Sequence, residues 1–216
     1  MTAHVCRRRR EIARAAAVLA AGERLAHEVA TRQGSIADRA AWARFFSAQA
    51  RQERVHAGVF ASAAELLAPG CDAGPLATDE IAALRARLDA DLDAGRLGCS
   101  VVGLQVAIEA LGAAVLDELG TVLANHLPAL VPVHRMLARQ EAAHQRFGVR
   151  WVEAAVAGGA LRELELARAV RNYGPLTRDL LAACTGVLEG FDVAPARYLA
   201  RFERVLPAWF LRAERA

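Results

Sequence analysis

The sequence contains no lysine: all 27 of its positive charges are arginine. Cysteine is scarce too. Cys6, Cys71, Cys99 and Cys184 are spread along 216 residues with no CxxC pair, which argues against a zinc ribbon, a rubredoxin-type iron site and a thioredoxin-like redox pair. There are only 7 prolines, aromatics make up 6 %, and no segment alternates apolar and polar residues with period 2, so no strand is expected. Charge of one sign is also lacking, at a formal net of +3. The one dense basic run, Arg7-Arg8-Arg9-Arg10, could touch nucleic acid or an anionic surface, but a solvated chain end is the commoner fate of such a run. Neither nucleic acid nor membrane is expected as a partner. No signal peptide is read, and scattered cysteines fit a reducing cytoplasm.

What is present is alanine, leucine and valine in helical periodicity, within a 55 % apolar composition. The length fits a single domain, residues 1–216, large enough for a sizeable core. The pattern predicts helices over residues 10–32, closed by Gly34, and 38–67, capped by Ser35 or Asp38 and closed at Pro69-Gly70. After the linker "PGCDAGPLATDE", Thr78 is expected to cap a shorter helix over 79–94. Helices over 100–124 and from the turn at 125–128 to about 157 follow, then 160–173, 175–188 and 195–212. The fold class is therefore all-α: a four-helix bundle over residues 10–157 with a long crossover between its second and third helices, plus a C-terminal helical extension over 160–214. Residues 98–116 are apolar enough to resemble a membrane span, but Gln105 and Glu109 near the middle would be expensive in lipid, and a buried bundle helix fits better.

Glutamates interrupt the apolar stripes at regular places. Residues 53–56 read "ERVH" and 141–144 read "EAAH". Positions i and i+3 lie about 60° apart on a helix, so Glu53 and His56 share a face, as do Glu141 and His144. Glu53 and His56 fall in line with Phe46, Gln49 and Phe60; Glu141 and His144 with His134, Leu137 and Gly148. Glu109 follows Val102 and Gln105 on its stripe, and Glu23 follows Ala16 and Leu19 on the first helix. Glu118 and Glu28 point to other faces. Four carboxylates in one core cannot remain bare: each would cost many kcal/mol or take up a proton. Two divalent cations cancel four such charges, and two imidazoles complete the coordination without adding charge. Carboxylate with imidazole suits iron or manganese.

The order Glu23, "ERVH", Glu109, "EAAH" resembles that of the ferritin-like superfamily of dinuclear carboxylate bundles, over about residues 10–157. The spacing within each hairpin is similar as well, 30 residues from Glu23 to Glu53 and 32 from Glu109 to Glu141. The resemblance implies two iron ions, with manganese or a mixed manganese–iron pair as alternatives. It implies Glu53 and Glu141 as bridging ligands, Glu23 and Glu109 as terminal ones, and His56 and His144 on one metal each. It further implies a non-haem di-iron oxidase or oxygenase that uses O2 to oxidise a small organic substrate, with an external electron donor. The alternatives are a ferroxidase, a peroxidase or a manganese catalase; a tRNA hydroxylase or a non-catalytic scaffold is less in keeping with the residues. The extension after Gly158 can wall a substrate pocket or build a homodimer interface. Small residues Gly112, Ala113, Ala26 and Ala57 leave room for substrate or permit close helix packing. His27 and His134 share faces with Glu23 and Glu141 and can be supporting groups, extra ligands or structural histidines. Gln49 and Gln105 can hydrogen-bond ligands or mark the polar end of the core. Tyr173, Tyr198, Trp42, Trp151 and Trp209 are assigned to packing.

Overall fold

A computed structural model describes residues 3–69, 76–189 and 193–215. Cys71 and residues 70–75 of the linker lie outside these, as do the side chains of Cys6, Arg7 and Arg8. No strand occurs among the described residues. The helices are α1 (Ala3–Ile36), α2 (Ala40–Leu67), α3 (Thr78–Asp93), α4 (Leu97–Val101), a π-helical stretch (Val102–Ile108), α5 (Glu109–His126), α6 (Val131–Ala157), α7 (Glu163–Ala183), α8 (Thr185–Glu189), α9 (Pro195–Val205) and α10 (Ala208–Arg215), with a short 3-10 turn (Pro128–Leu130) before α6. The chain forms two compact units, residues 1–85 with 180–195, and residues 86–179 with 196–216.

In the first unit α1 packs along α2 as a helical hairpin, and α8 touches α1. The buried positions of α2 are Phe46, Gln49, Ala50, Glu53, His56, Ala57 and Phe60, a stripe at spacings of three and four. Burying Phe46 and Phe60 stabilises the hairpin by roughly 1.5–3 kcal/mol each, which sets the register for the polar residues between them. Gly34 is not the C-cap that its position suggests: α1 runs through it to Ile36. The glycine serves close approach, since a Cβ there would lie 3.1 Å from Ser47 Oγ. The expected cap at Ser35 or Asp38 is also absent. Arg39 occupies the N-cap of α2 without a side-chain hydrogen bond, and the Ser35 hydroxyl instead donates back to the Arg32 carbonyl.

In the second unit the π stretch and α5 lie against α6 as another hairpin. The expected single α-helix over 100–124 is thus interrupted by a π-helical segment, seven residues long and directly before Glu109. Gly95 and Gly159, at φ +67° and +72°, adopt the left-handed conformation that ends α3 and α6. Thr78 is the first residue of α3. The break expected before Pro175 does not occur; α7 continues through that proline, where Tyr173 and Thr177 are fully buried and packing outweighs the lost backbone donor. Pro207 instead splits the last expected helix into α9 and α10. Among the described residues one helical segment, Leu97–Asn125, is long and apolar enough to cross a membrane, and 78 % of its most apolar stretch is buried inside the protein.

Candidate metal centre

Each hairpin gathers one carboxylate–imidazole cluster. In the first, Glu23 comes from α1, while Glu53 and His56 stand on adjacent turns of α2. The three are buried, with relative exposures of 8 %, 0 % and 1 %. His56 Nδ1 lies 2.9 Å from Glu53 Oε2 and 3.6 Å from Glu23 Oε2. One donor atom from each of the three falls within 4.8 Å of the others, close enough to share an ion.

In the second hairpin Glu109 opens α5, and Glu141 and His144 stand one turn apart on α6. All three are buried. His144 Nδ1 lies 3.8 Å from Glu109 Oε1. Glu141 reaches towards α5 at Gly112, where a Cβ would meet its Oε2 at 4.0 Å. The stripe on α6 runs Leu137, Glu141, His144, Gln145, Gly148, Trp151, Val152 and Ala155, so the two ligand-type residues again sit between apolar anchors. Each hairpin supplies two buried carboxylates and one buried imidazole, a donor set that fits iron or manganese. Gln49 and Gln105 are fully buried, each one turn before the glutamate of its own stripe.

His27 and His134, outside the motifs, each bond a backbone carbonyl of the neighbouring helix. A His27 ring nitrogen bonds the Ala50 carbonyl at 2.8 Å, tying α1 to α2. A His134 ring nitrogen bonds the Leu116 carbonyl at 2.6 Å, tying α6 to α5. Of the two acids set aside by face, Glu28 is paired with Arg85. Glu118 is buried beneath α9, with Arg197 Nη2 at 3.1 Å and Arg201 Nε at 3.5 Å. Trp42 lies under the Arg39 guanidinium, 4.5 Å from its ring centroid. The C-terminal extension frames an open groove of about 540 Å³ between α6, α7 and α10, lined by Val152, Val156, Leu166, Trp209 and Arg212 among others. None of the six metal-ligand candidates lines it.

Periodicity gave no sign of two features. One is the π stretch, whose hydrogen-bond pattern has no signature in composition. The other is a buried carboxylate, Asp91 on α3. Tyr173 Oη donates to Asp91 Oδ2 at 2.6 Å, Arg96 Nε to Oδ1 at 2.7 Å and Arg87 Nε to Oδ2 at 3.2 Å. Burial pushes the Asp91 carboxyl upward, but hydrogen bonds from Arg87, Tyr173 and Arg96 outweigh it and hold the group below the ordinary aspartate value. Burial and the same carboxylate push the Tyr173 hydroxyl well above its usual range, so it stays a donor. Tyr173 thus does more than pack.

No family model and no curated protein matches the sequence. Among solved structures, the chain is similar to "Protein 19 with aldehyde deformylating oxidase activity" from Synechococcus, at a TM-score of 0.82 and 19 % identity, over 99 % of this chain and 92 % of that one. At this identity the likeness shows the fold, which is that of a ferritin-like helical bundle.

Proposed function

We propose that the two clusters act together as one dinuclear metal centre, and that the protein is a non-haem di-iron oxidase or oxygenase acting on a small organic substrate. The observation that carries this reading is the duplication itself: two hairpins of a ferritin-like bundle each bury two glutamates and a histidine among mostly apolar neighbours. A buried carboxylate without a counter-cation is costly, and a pair of divalent ions neutralises four of them. Glu53 and Glu141 would bridge, Glu23 and Glu109 would each close one ion's shell, and His56 and His144 would each bind one ion. Iron held by these residues would supply O2 activation, with electrons from an external donor; manganese is the alternative occupant.

The chain's own part is to hold these ligands away from water and to leave space beside them. Ala26 and Ala57 in the first hairpin, and Gly112 and Ala113 in the second, keep the flanking positions small. The aldehyde chemistry named for the Synechococcus protein makes an aldehyde the first substrate to offer. The free thiols of Cys99 and Cys184 suit a reducing compartment, which we take to be the cytoplasm.

The test is metal content after anaerobic loading with ferrous iron or manganese, beside Glu53→Ala and His144→Ala. About two ions per chain, with occupancy falling in both variants, supports the centre. Oxygen consumption that yields an oxidised aldehyde-derived product then supports the oxidase. Folded wild-type protein that takes up no stoichiometric metal would overturn the reading, and oxygen uptake with iron alone and no organic product would turn it into a ferroxidase.

A further inference from the structure

Immediately before Glu109 the chain adopts a conformation that helices rarely keep. A π turn holds one residue more than an α turn and is retained where surrounding contacts enforce it. If the stretch Val102–Ile108 relaxed to α geometry, the residues beyond it would rotate by about 100° around the helix axis. Glu109 would then leave the core stripe. Something must hold the stretch, and two contacts grip it.

The first grip is at Gly103. The ring of Tyr173 lies so close that a Cβ on Gly103 would be 2.6 Å from Cε1 and Cζ and 2.9 Å from Cδ1. The ring cannot move off easily, because its hydroxyl is bound to Asp91, itself fixed by Arg87 and Arg96. The backbone N–H of Arg96 also donates to the Asp91 carbonyl at 2.8 Å, closing the turn after α3 around the same residue. The second grip is at Gln105. A Cβ on Gly148 of α6 would lie 2.4 Å from Gln105 Cβ and 3.0 Å from its carbonyl carbon, so α6 meets the π stretch almost backbone to backbone. Gly148 stands one turn beyond His144 on the same stripe.

We infer that Tyr173 and Asp91 are positioning residues: acting through Gly103 and opposite Gly148, they lock the π register that presents Glu109 to His144. The role in metal binding rests on the dinuclear reading above; the lock itself does not. In this view the crossover helix α3 and the extension helix α7 are the outer jaws of a clamp on the second half-site.

The test uses the full chain and three variants. Tyr173→Phe keeps the ring and removes only the hydroxyl, Asp91→Asn keeps the shape and removes the charge, and Gly103→Ala drives a methyl group into the ring. Phe202→Leu, a core substitution in α9, serves as a control for general loss of stability. Two measurements are made on each: amide hydrogen exchange over residues 98–112 in metal-free protein, and stepwise binding of ferrous iron or manganese by calorimetry. The expected result is faster exchange across 102–109 in all three variants with α1 and α2 unchanged. One of the two ions should weaken by about tenfold or more, as loss of a group supporting a ligand usually does, while the other is retained. A merely structural role would weaken both ions together, as Phe202→Leu should, and would overturn the inference. Unchanged exchange in Tyr173→Phe and Asp91→Asn would overturn it as well. Wild-type protein that binds no metal would defeat the dinuclear reading, while the exchange comparison would still decide whether the clamp exists.

Discussion

The two hairpins carry the same motif and support it differently. In the first, two uninterrupted α-helices bring His56 within 2.9 and 3.6 Å of its glutamates. Gly22 and Gly58 there face open space, with nothing within 4 Å of an added Cβ. In the second, the histidine–glutamate approach is 3.8 Å, one ligand follows a π stretch, and glycines sit at the tightest contacts. A Cβ at Gly98, Gly103, Gly120 or Gly148 would come within 3.0 Å of a neighbouring side chain. The first half-site follows from local periodicity, because regular helices and apolar anchors suffice to aim the side chains. The second depends on distant contacts that hold an irregular backbone. The second hairpin should therefore be the fragile one, and substitutions can separate the two.

The largest expected effect tests whether the hairpins share one centre at all. Each ion that binds only the folded state should raise unfolding stability by about 2.7 kcal/mol at a hundredfold excess over its dissociation constant. Glu53→Ala in the first hairpin and Glu141→Ala in the second, both proposed bridges, should each abolish that increment. Denaturant unfolding with and without ferrous iron or manganese measures it. If each variant keeps about half of the wild-type increment, the hairpins bind metal independently.

Next come the glycines. Gly148→Ala places a methyl group against the Gln105 backbone, which cannot retreat, and should destabilise by about 1–3 kcal/mol. Gly58→Ala, on an exposed turn of α2 with space around it, should stabilise by about 0.5–1 kcal/mol through helix propensity alone. Urea midpoints of the two variants beside wild type give both signs in one experiment. Equal effects would erase the contrast between the hairpins.

Acid should also act on one unit more than the other. Asp91 has a carboxyl held below its unfolded value, so its stabilising contribution is complete above about pH 4 and is lost only as pH falls through the lower folded value. The stability gap between wild type and Asp91→Asn should stay constant from pH 7 to about pH 5 and narrow below about pH 4. Unfolding midpoints across that range measure it. A gap that already closes near pH 6 would mean that another group dominates.

What could be read from the sequence divides along the same line. The all-helical class, the crossover and the six ligand candidates came from apolar stripes broken at intervals of three and four, a signal that survives wherever the helix is regular. The structure gathers Glu23, Glu53 and His56 in one place, and brings Glu109 beside His144. The π stretch escaped because "VGLQVAI" is as good an α-helix former as its neighbours, and only the Tyr173 ring and the α6 backbone make it otherwise. The Asp91–Tyr173 bond joins residues 82 apart, beyond any local pattern. Glycine and proline misled for the same reason. Gly34 looked like a stop and is a contact, while Pro175 looked like a break and is carried through by buried Tyr173 and Thr177.

The smallest effect sharpens the comparison where the hairpins should be alike. His27 and His134 each bond a carbonyl of the partner helix in their own hairpin, at 2.8 and 2.6 Å. Replacing either by alanine removes one part-buried hydrogen bond and should cost about 1 kcal/mol. If both are ties rather than ligands, metal stoichiometry should remain that of wild type in His27→Ala and His134→Ala alike. The His134 ring also packs on Gly120, where a Cβ would lie 2.7 Å from Cε1, so its loss opens a gap beside that glycine. His134→Ala should thus be the more damaging of the two by a fraction of that amount. A drop in bound metal in either variant would instead make that histidine part of the centre.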